Sequence, residues 1–116
     1  MARIRTIKPS FWGDDKVCRL SWDARLLLVG IISMADDEGR FIATPQSVLG
    51  YVFPHEDVTA PRFRKLMGEI TDTKIVALYE DRGRQYGFLP KWKKHQRINK
   101  PQASALPAPP QEGLWD

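Results

Sequence analysis

One cysteine, Cys18, and two histidines, His55 and His95, are all that 116 residues offer of the usual soft metal ligands. A single thiol excludes an intramolecular disulfide and a multi-cysteine zinc site, and it fits a reducing compartment. Neither histidine has a Cys or His at ligand spacing, which leaves a zinc centre without donors. The longest apolar stretch, Leu26 to Ala35, falls short of the roughly 18 residues that a bilayer span needs. The opening MARIRTIKPS is basic but leads into no apolar run or small-residue cleavage site, so it does not read as a secretory signal. A Gly-rich phosphate loop and a nucleophile motif are also missing. These absences argue against an enzyme, a cofactor, a metal and a membrane, and they predict a cytoplasmic protein.

What is present is enough apolar residue, 42% of the chain, for one domain of ordinary size. Lys and Arg number 18 against 14 Asp and Glu, a formal charge of +4, which by itself names no partner. Its distribution is more informative. Residues 1–20 carry five basic and two acidic side chains, 21–60 carry two basic and six acidic, and 61–116 carry eleven basic and six acidic. The densest feature is KWKKHQRINK, with Lys91, Lys93, Lys94, Arg97 and Lys100 and no carboxylate.

Local signals divide the chain into an N-terminal arm with a short helix (1–20), a folded domain (21–100) and a flexible Pro- and Ala-rich tail (101–116). In the arm, Pro9 drives Lys8 toward an extended backbone. Ile4, Ile7, Phe11 and Trp12 are expected to pack on the body, and Asp14 to Arg19 form the short helix, with acids in its first turn. Ser21 is an N-cap for a helix from about Ala24 to Ala35, apolar on nearly every face and so central to the core. Gly39 stops it, and Arg40-Phe41-Ile42 make a short strand. Thr44 caps a second helix with Pro45 at its first position, ended by Pro54. A third runs from about Thr59 to Thr73, with Phe63, Leu66, Met67 and Ile70 on one side. Ile75 to Glu80 and Gln85 to Leu89 form a β-hairpin around Asp81-Arg82-Gly83-Arg84.

Helix, short strand, helix, helix and hairpin, in that order, predict an α+β, mainly α, winged helix-turn-helix: three core helices, a hairpin wing and an extended arm. In that fold the third helix enters the major groove and the wing lies along the backbone or minor groove. The candidate double-stranded DNA contacts are therefore Arg62, Arg64 and Lys65 on the third helix, Arg82 and Arg84 on the wing, Lys91, Lys93, Lys94, Arg97 and Lys100 beyond it, and Arg3 and Arg5 on the arm. Trp92 either anchors the post-wing segment or stacks on a base. The acids Asp36-Asp37-Glu38 invite a metal reading, but three consecutive side chains at a helix end diverge, so a Mg²⁺ site is not expected.

The motifs RIRTIKPSFW, LSWDARLLLVGI, ADDEGRF and LPKWKKHQRINKP, in that order, resemble the N-terminal winged-helix domain of phage and prophage replication-initiation proteins, the replisome-organiser or DnaD-like class. The resemblance covers roughly residues 3–101. It implies a DNA-binding module in a bacterial host cell, serving replication initiation or transcriptional regulation. The alternative from another class is a winged-helix protein-interaction module whose exposed aromatics, Trp115 included, bind a replication or host protein.

Overall fold

The computed structural model describes residues 3–110. Each of the three long helices begins where a side-chain oxygen satisfies an otherwise orphaned N–H. Asp14 accepts from the N–H groups of Lys16 and Val17 at the start of α1 (Asp15–Cys18), which follows a 3₁₀ turn at Pro9–Phe11. The Ser21 hydroxyl accepts from Ala24 N–H, so α2 (Trp22–Met34) starts two residues earlier than its apolar pattern suggests. Thr44 caps α3 (Pro45–Val52) and Thr59 caps α4 (Ala60–Asp72), both with proline in the first turn, where its missing N–H costs nothing.

Three strands complete the order: β1 (Arg40–Ile42), β2 (Ala77–Asp81) and β3 (Arg84–Phe88). They form an antiparallel sheet in the order β1-β3-β2, with Phe41 opposite Gly87 and Tyr79 opposite Tyr86. The short α5 (Trp92–His95) follows. The molecule is thus α+β, and no helix among the described residues is long and apolar enough to cross a membrane.

The main core centres on α2, whose Leu27, Leu28 and Ile31 are fully buried against Val48 of α3 and Phe63, Leu66 and Ile70 of α4. Not every face of α2 is covered, however: Trp22 and Leu26, four residues apart on one side, are 83% and 54% exposed. Period-two alternation sorts the sheet. Phe41 and Leu78 face the helices, while Ala77, Tyr79, Tyr86 and Phe88 form a second apolar cluster on the opposite face. Tyr79 stacks on Tyr86 with centroids 5.6 Å apart and meets Phe88 edge-on at 5.8 Å.

That second face explains why residues 101–110 do not behave as the loose tail their composition suggests. Leu106 packs on the aromatic cluster, Pro109 is buried, and the Tyr79 hydroxyl donates to the Pro107 carbonyl at 2.7 Å. Burial pushes the Tyr79 phenol up to about 12, so it remains a donor throughout the physiological range. Apolar area on a sheet face is the driving force that composition alone does not reveal. Trp115 lies outside the described residues.

The hairpin is tighter than the four-residue turn that its sequence suggests. Arg82 and Gly83 form a two-residue loop, with φ of 50° and 79°, the positive values that a type I′ turn demands. The strands consequently run to the tip, Asp81 pairing with Arg84.

Close approach fixes two glycines. A Cβ on Gly87 would lie 2.4 Å from the Phe41 ring, and one on Gly39 would lie 2.7 Å from Trp92 Cγ with φ already at +79°. Gly50, in the middle of α3, has nothing within 4 Å. Gly39→Ala is therefore expected to lose roughly 2–4 kcal/mol from overpacking and left-handed strain, whereas Gly50→Ala gains about 0.5–1 kcal/mol. Urea denaturation of the two variants checks both the magnitude and the opposite signs.

Candidate nucleic-acid interface

The twelve cations singled out in the sequence separate into three environments. On α4, the amphipathic spacing that buries Phe63, Leu66, Met67 and Ile70 leaves Arg62, Arg64 and Lys65 exposed. Arg62 reaches across to Asp23 of α2, but both side chains are largely solvated, at 45% and 62% exposure. Such a surface pair contributes at most about 1 kcal/mol and can be exchanged for a phosphate. Arg64 and Lys65 have no carboxylate partner among the described residues. The same holds for Arg82 and Arg84 at the hairpin tip.

The post-hairpin cations occupy the other end of β3. Leu89 N–H donates to the Gly39 carbonyl and Trp92 N–H to the Leu89 carbonyl, turning the chain into α5 away from the tip. Leu89 lies five positions beyond Arg84 along the strand, roughly 16 Å at the usual rise. Adjacent in sequence, the hairpin-tip pair and the Lys91–Lys100 group do not form one patch.

Trp92 is the anchor of this segment and has no exposed ring face for a base. It is 4% exposed, its Nε1 donates to the Asp37 carbonyl at 3.0 Å, and its ring lies over Gly39. Lys91, Lys93, Lys94, Arg97 and Lys100 are all exposed around it. Lys100 holds φ at 51°.

The arm arginines differ from their sequence reading. Extended backbone alternates its side chains, so Arg5 and Ile7 turn inward while Ile4 is 100% exposed instead of packing on the body. Phe11 does reach the core, whereas Trp12 is 58% exposed and touches Phe11 edge-on. Arg5 is 4% exposed at its side chain. It donates to Asp37 Oδ1 at 3.0 Å and to the Ala35 carbonyl at 2.8 Å, and its guanidinium lies 5.1 Å from the Trp92 ring centroid. Arg3 donates to the Asn99 carbonyl at 3.1 Å and approaches Asp37 Oδ2 at 3.4 Å. Arg5 is removed from the phosphate-contacting set because its charge is buried and matched; Arg3 is largely committed to the same carboxylate.

The rest of the arm is bound as closely. Gln96 locks to Thr6 from both ends of its amide, accepting from Thr6 N–H at 3.0 Å and donating to the Thr6 carbonyl at 2.8 Å. Lys8 Nζ donates to the Lys94 carbonyl at 2.9 Å.

The acidic turn is the other half of the clasp. Asp36 Oδ1 accepts from Glu38 N–H and Arg40 N–H, both at 3.0 Å, and its second oxygen accepts from the Ser104 hydroxyl. Asp37 accepts from Gln102 N–H at 2.9 Å as well as from the arm, and Glu38 accepts from Ser104 N–H. Asp36 and Glu38 thus meet at Ser104, while Asp37 turns to the arm and to Gln102. No cluster of three or more His, Cys, Asp or Glu suited to a metal occurs among the described residues.

The Gln102 N–H, opposed by burial and supported by Arg5 and Arg3, holds the Asp37 carboxyl below its ordinary value. At His95, burial and then the neighbouring Lys8, Lys91 and Lys94 lower the pKa against the opposing effect of Asp14. His95 thus holds a proton less readily than a free imidazole does.

Comparison with family models, with curated proteins and with solved structures found no match.

Because the folded Asp37 pKa is depressed, its contribution to stability is complete above the ordinary carboxylate range and is lost as pH falls through the folded value. Asp37→Asn is expected to lower the melting temperature at pH 7 and to flatten the acid limb of the stability profile. Equal loss at pH 7 and at pH 3 would contradict the ion-pair role. Thermal melts across that range distinguish the two.

Proposed function

We propose that the chain is a winged-helix module that binds double-stranded DNA, of the type used by phages and prophages in replication initiation or transcriptional regulation. The observation that carries this reading is a set of cations without a carboxylate partner among the described residues, on two connected elements: Arg64 and Lys65 on the exposed side of α4, and Arg82 and Arg84 on the hairpin into which α4 leads. The chain order helix, strand, helix, helix, hairpin, with β1 paired to the second hairpin strand, supports the winged-helix assignment. Backbone strain sharpens it. Among the described residues, three non-glycine positions have positive φ, Lys74, Arg82 and Lys100, all basic. Glycine or asparagine is the comfortable choice at such positions, and strain of this kind concentrates at functional sites.

In this reading α4 supplies base and phosphate contacts, Arg82 and Arg84 hold the neighbouring backbone, and Lys93, Arg97 and Lys100 add a separate phosphate-binding patch. The protein works in the bacterial cytoplasm without a cofactor. A second reading, a protein-interaction module, is favoured by Trp22 and Leu26, whose shared exposed face on α2 is large apolar area without a covering element among the described residues.

A salt titration of duplex binding tests the DNA reading. Log affinity against log salt should be linear, losing about 0.9 of slope for each phosphate contact removed. Replacing Arg64, Lys65, Arg82 and Arg84 with Ala should flatten it most, and replacing Lys93 and Arg97 should flatten it independently. Absence of duplex binding at low salt, or slopes unchanged in both variants, refutes the proposal. Trp22→Ser should leave the slope intact while abolishing any stoichiometric protein complex.

A further inference from the structure

A cleft of about 620 Å³ opens between the arm, α1, the turn from α4 into β2, and α5, within the size range of ligand-binding pockets. Its floor is apolar. Ile7, Phe11 and Ile75 are only partly buried, and Leu89 and Trp92 close the base. Its rim is cationic, with Lys8, Lys16, Arg19, Lys74, Lys91 and Lys94. Two carboxylates also line it, Asp14 and Asp15, of which Asp14 is spent in capping α1. None of the six rim cations has a carboxylate partner among the described residues.

From this arrangement we infer that the cleft is a docking site for an acidic segment of a partner protein, one large apolar side chain entering the floor while flanking carboxylates meet the rim. Two features select that occupant. A nucleic-acid duplex has phosphates for the rim but keeps its bases stacked inside, and so leaves an apolar floor unfilled. The cations stand on the arm, on α1, at the α4–β2 turn and around α5, so they surround the opening instead of converging on a point. That spacing suits several carboxylates along a chain better than a single phosphate.

The backbone at Lys74 bears on this site more directly than on the duplex. It occupies the position after the C-cap of α4 with φ of 64°, where glycine is the usual residue. A lysine at the lip of the cleft is therefore held at a conformational cost. His95 also lines the cleft, facing Lys8, Lys91, Lys94 and Asp14; burial first and those lysines second lower its pKa. The post-hairpin segment divides accordingly: Lys91 and Lys94 line the cleft, while Lys93, Arg97 and Lys100 do not.

The test is fluorescence anisotropy of the full chain with a labelled peptide, Asp-Glu-Asp-Trp-Leu-Glu-Asp. Saturable one-to-one binding is expected, abolished when the peptide Trp is replaced by Ala. Lys74→Gly should weaken it roughly threefold, the effect of one partly exposed charge pair, while raising the melting temperature by a few degrees through relief of left-handed strain. A merely structural Lys74 would give the thermal gain without the loss of binding. Bound peptide should also raise the His95 pKa in an NMR titration. Replacing Arg64, Lys65, Arg82 and Arg84 with Ala should leave peptide binding unchanged, which keeps this site separable from the DNA-binding proposal. No saturable binding, binding indifferent to the peptide Trp and to Lys74→Gly, or a Lys74→Gly variant that flattens only the DNA salt slope would each overturn the inference.

Discussion

Burial of one carboxylate, Asp37, organises the parts of this protein that are farthest apart in the chain. Its side chain is 3% exposed and receives Arg5 and Arg3 from the arm and Gln102 N–H from the C-terminal extension, while its backbone carbonyl receives Trp92. A charge that far from water is tolerable only when paired and hydrogen-bonded. The arm, the post-hairpin helix and the extension must therefore be in position together. Removing the partners of Asp37 leaves a buried charge, and removing Asp37 leaves the Arg5 guanidinium in the same difficulty. Trp92 joins the two, since its ring contacts both Gly39 and the Arg5 guanidinium.

This clasp changes the meaning of the charge count. The acidic stretch Asp36-Asp37-Glu38 spends its carboxylates on backbone N–H groups, Ser104 and arginines. Most of the basic side chains, by contrast, remain on the surface. Because the clasp takes up Arg3, Arg5 and Arg40 as well as three carboxylates, the formal charge of +4 is carried by the side chains outside it. The cations also belong to distinct regions: α4 and the hairpin tip, the outer side of α5, and the cleft between arm and α5. Each region sits on an element whose geometry is fixed by burial on its other side, so the arrangement of charge is preformed.

Much of the fold was legible in the sequence because it rests on neighbours within a few residues. Ser21, Thr44 and Thr59 mark three helix starts through N–H groups three positions ahead. The helical spacing of Phe63, Leu66, Met67 and Ile70 is their burial pattern, and Arg40-Phe41-Ile42 is the short strand its residues suggest. The exposed cations of α4 and the hairpin followed from the same local reasoning. Arg5 was misleading because a basic residue in an extended arm looks the same whether its partner is a phosphate or a carboxylate 32 positions away. The extension after Pro101 was misleading because a Pro- and Ala-rich composition conceals that Tyr79, Tyr86 and Phe88 present an apolar sheet face in need of cover. Lys74 gave no signal at all, since its significance lies in a φ and a cleft.

By itself, then, the sequence determined α1 to α4 with their caps, the three strands and the apolar stripes, all set by interactions of short range along the chain, but not α5. Tertiary structure alone decided which charges are consumed and which remain available. That outcome depends on Asp37 meeting Arg5 and Gln102, on β3 carrying Lys91 to the end opposite Arg82, and on the arm closing one wall of the cleft. Charge pairing and apolar coverage act through space, and separation along the chain does not predict them.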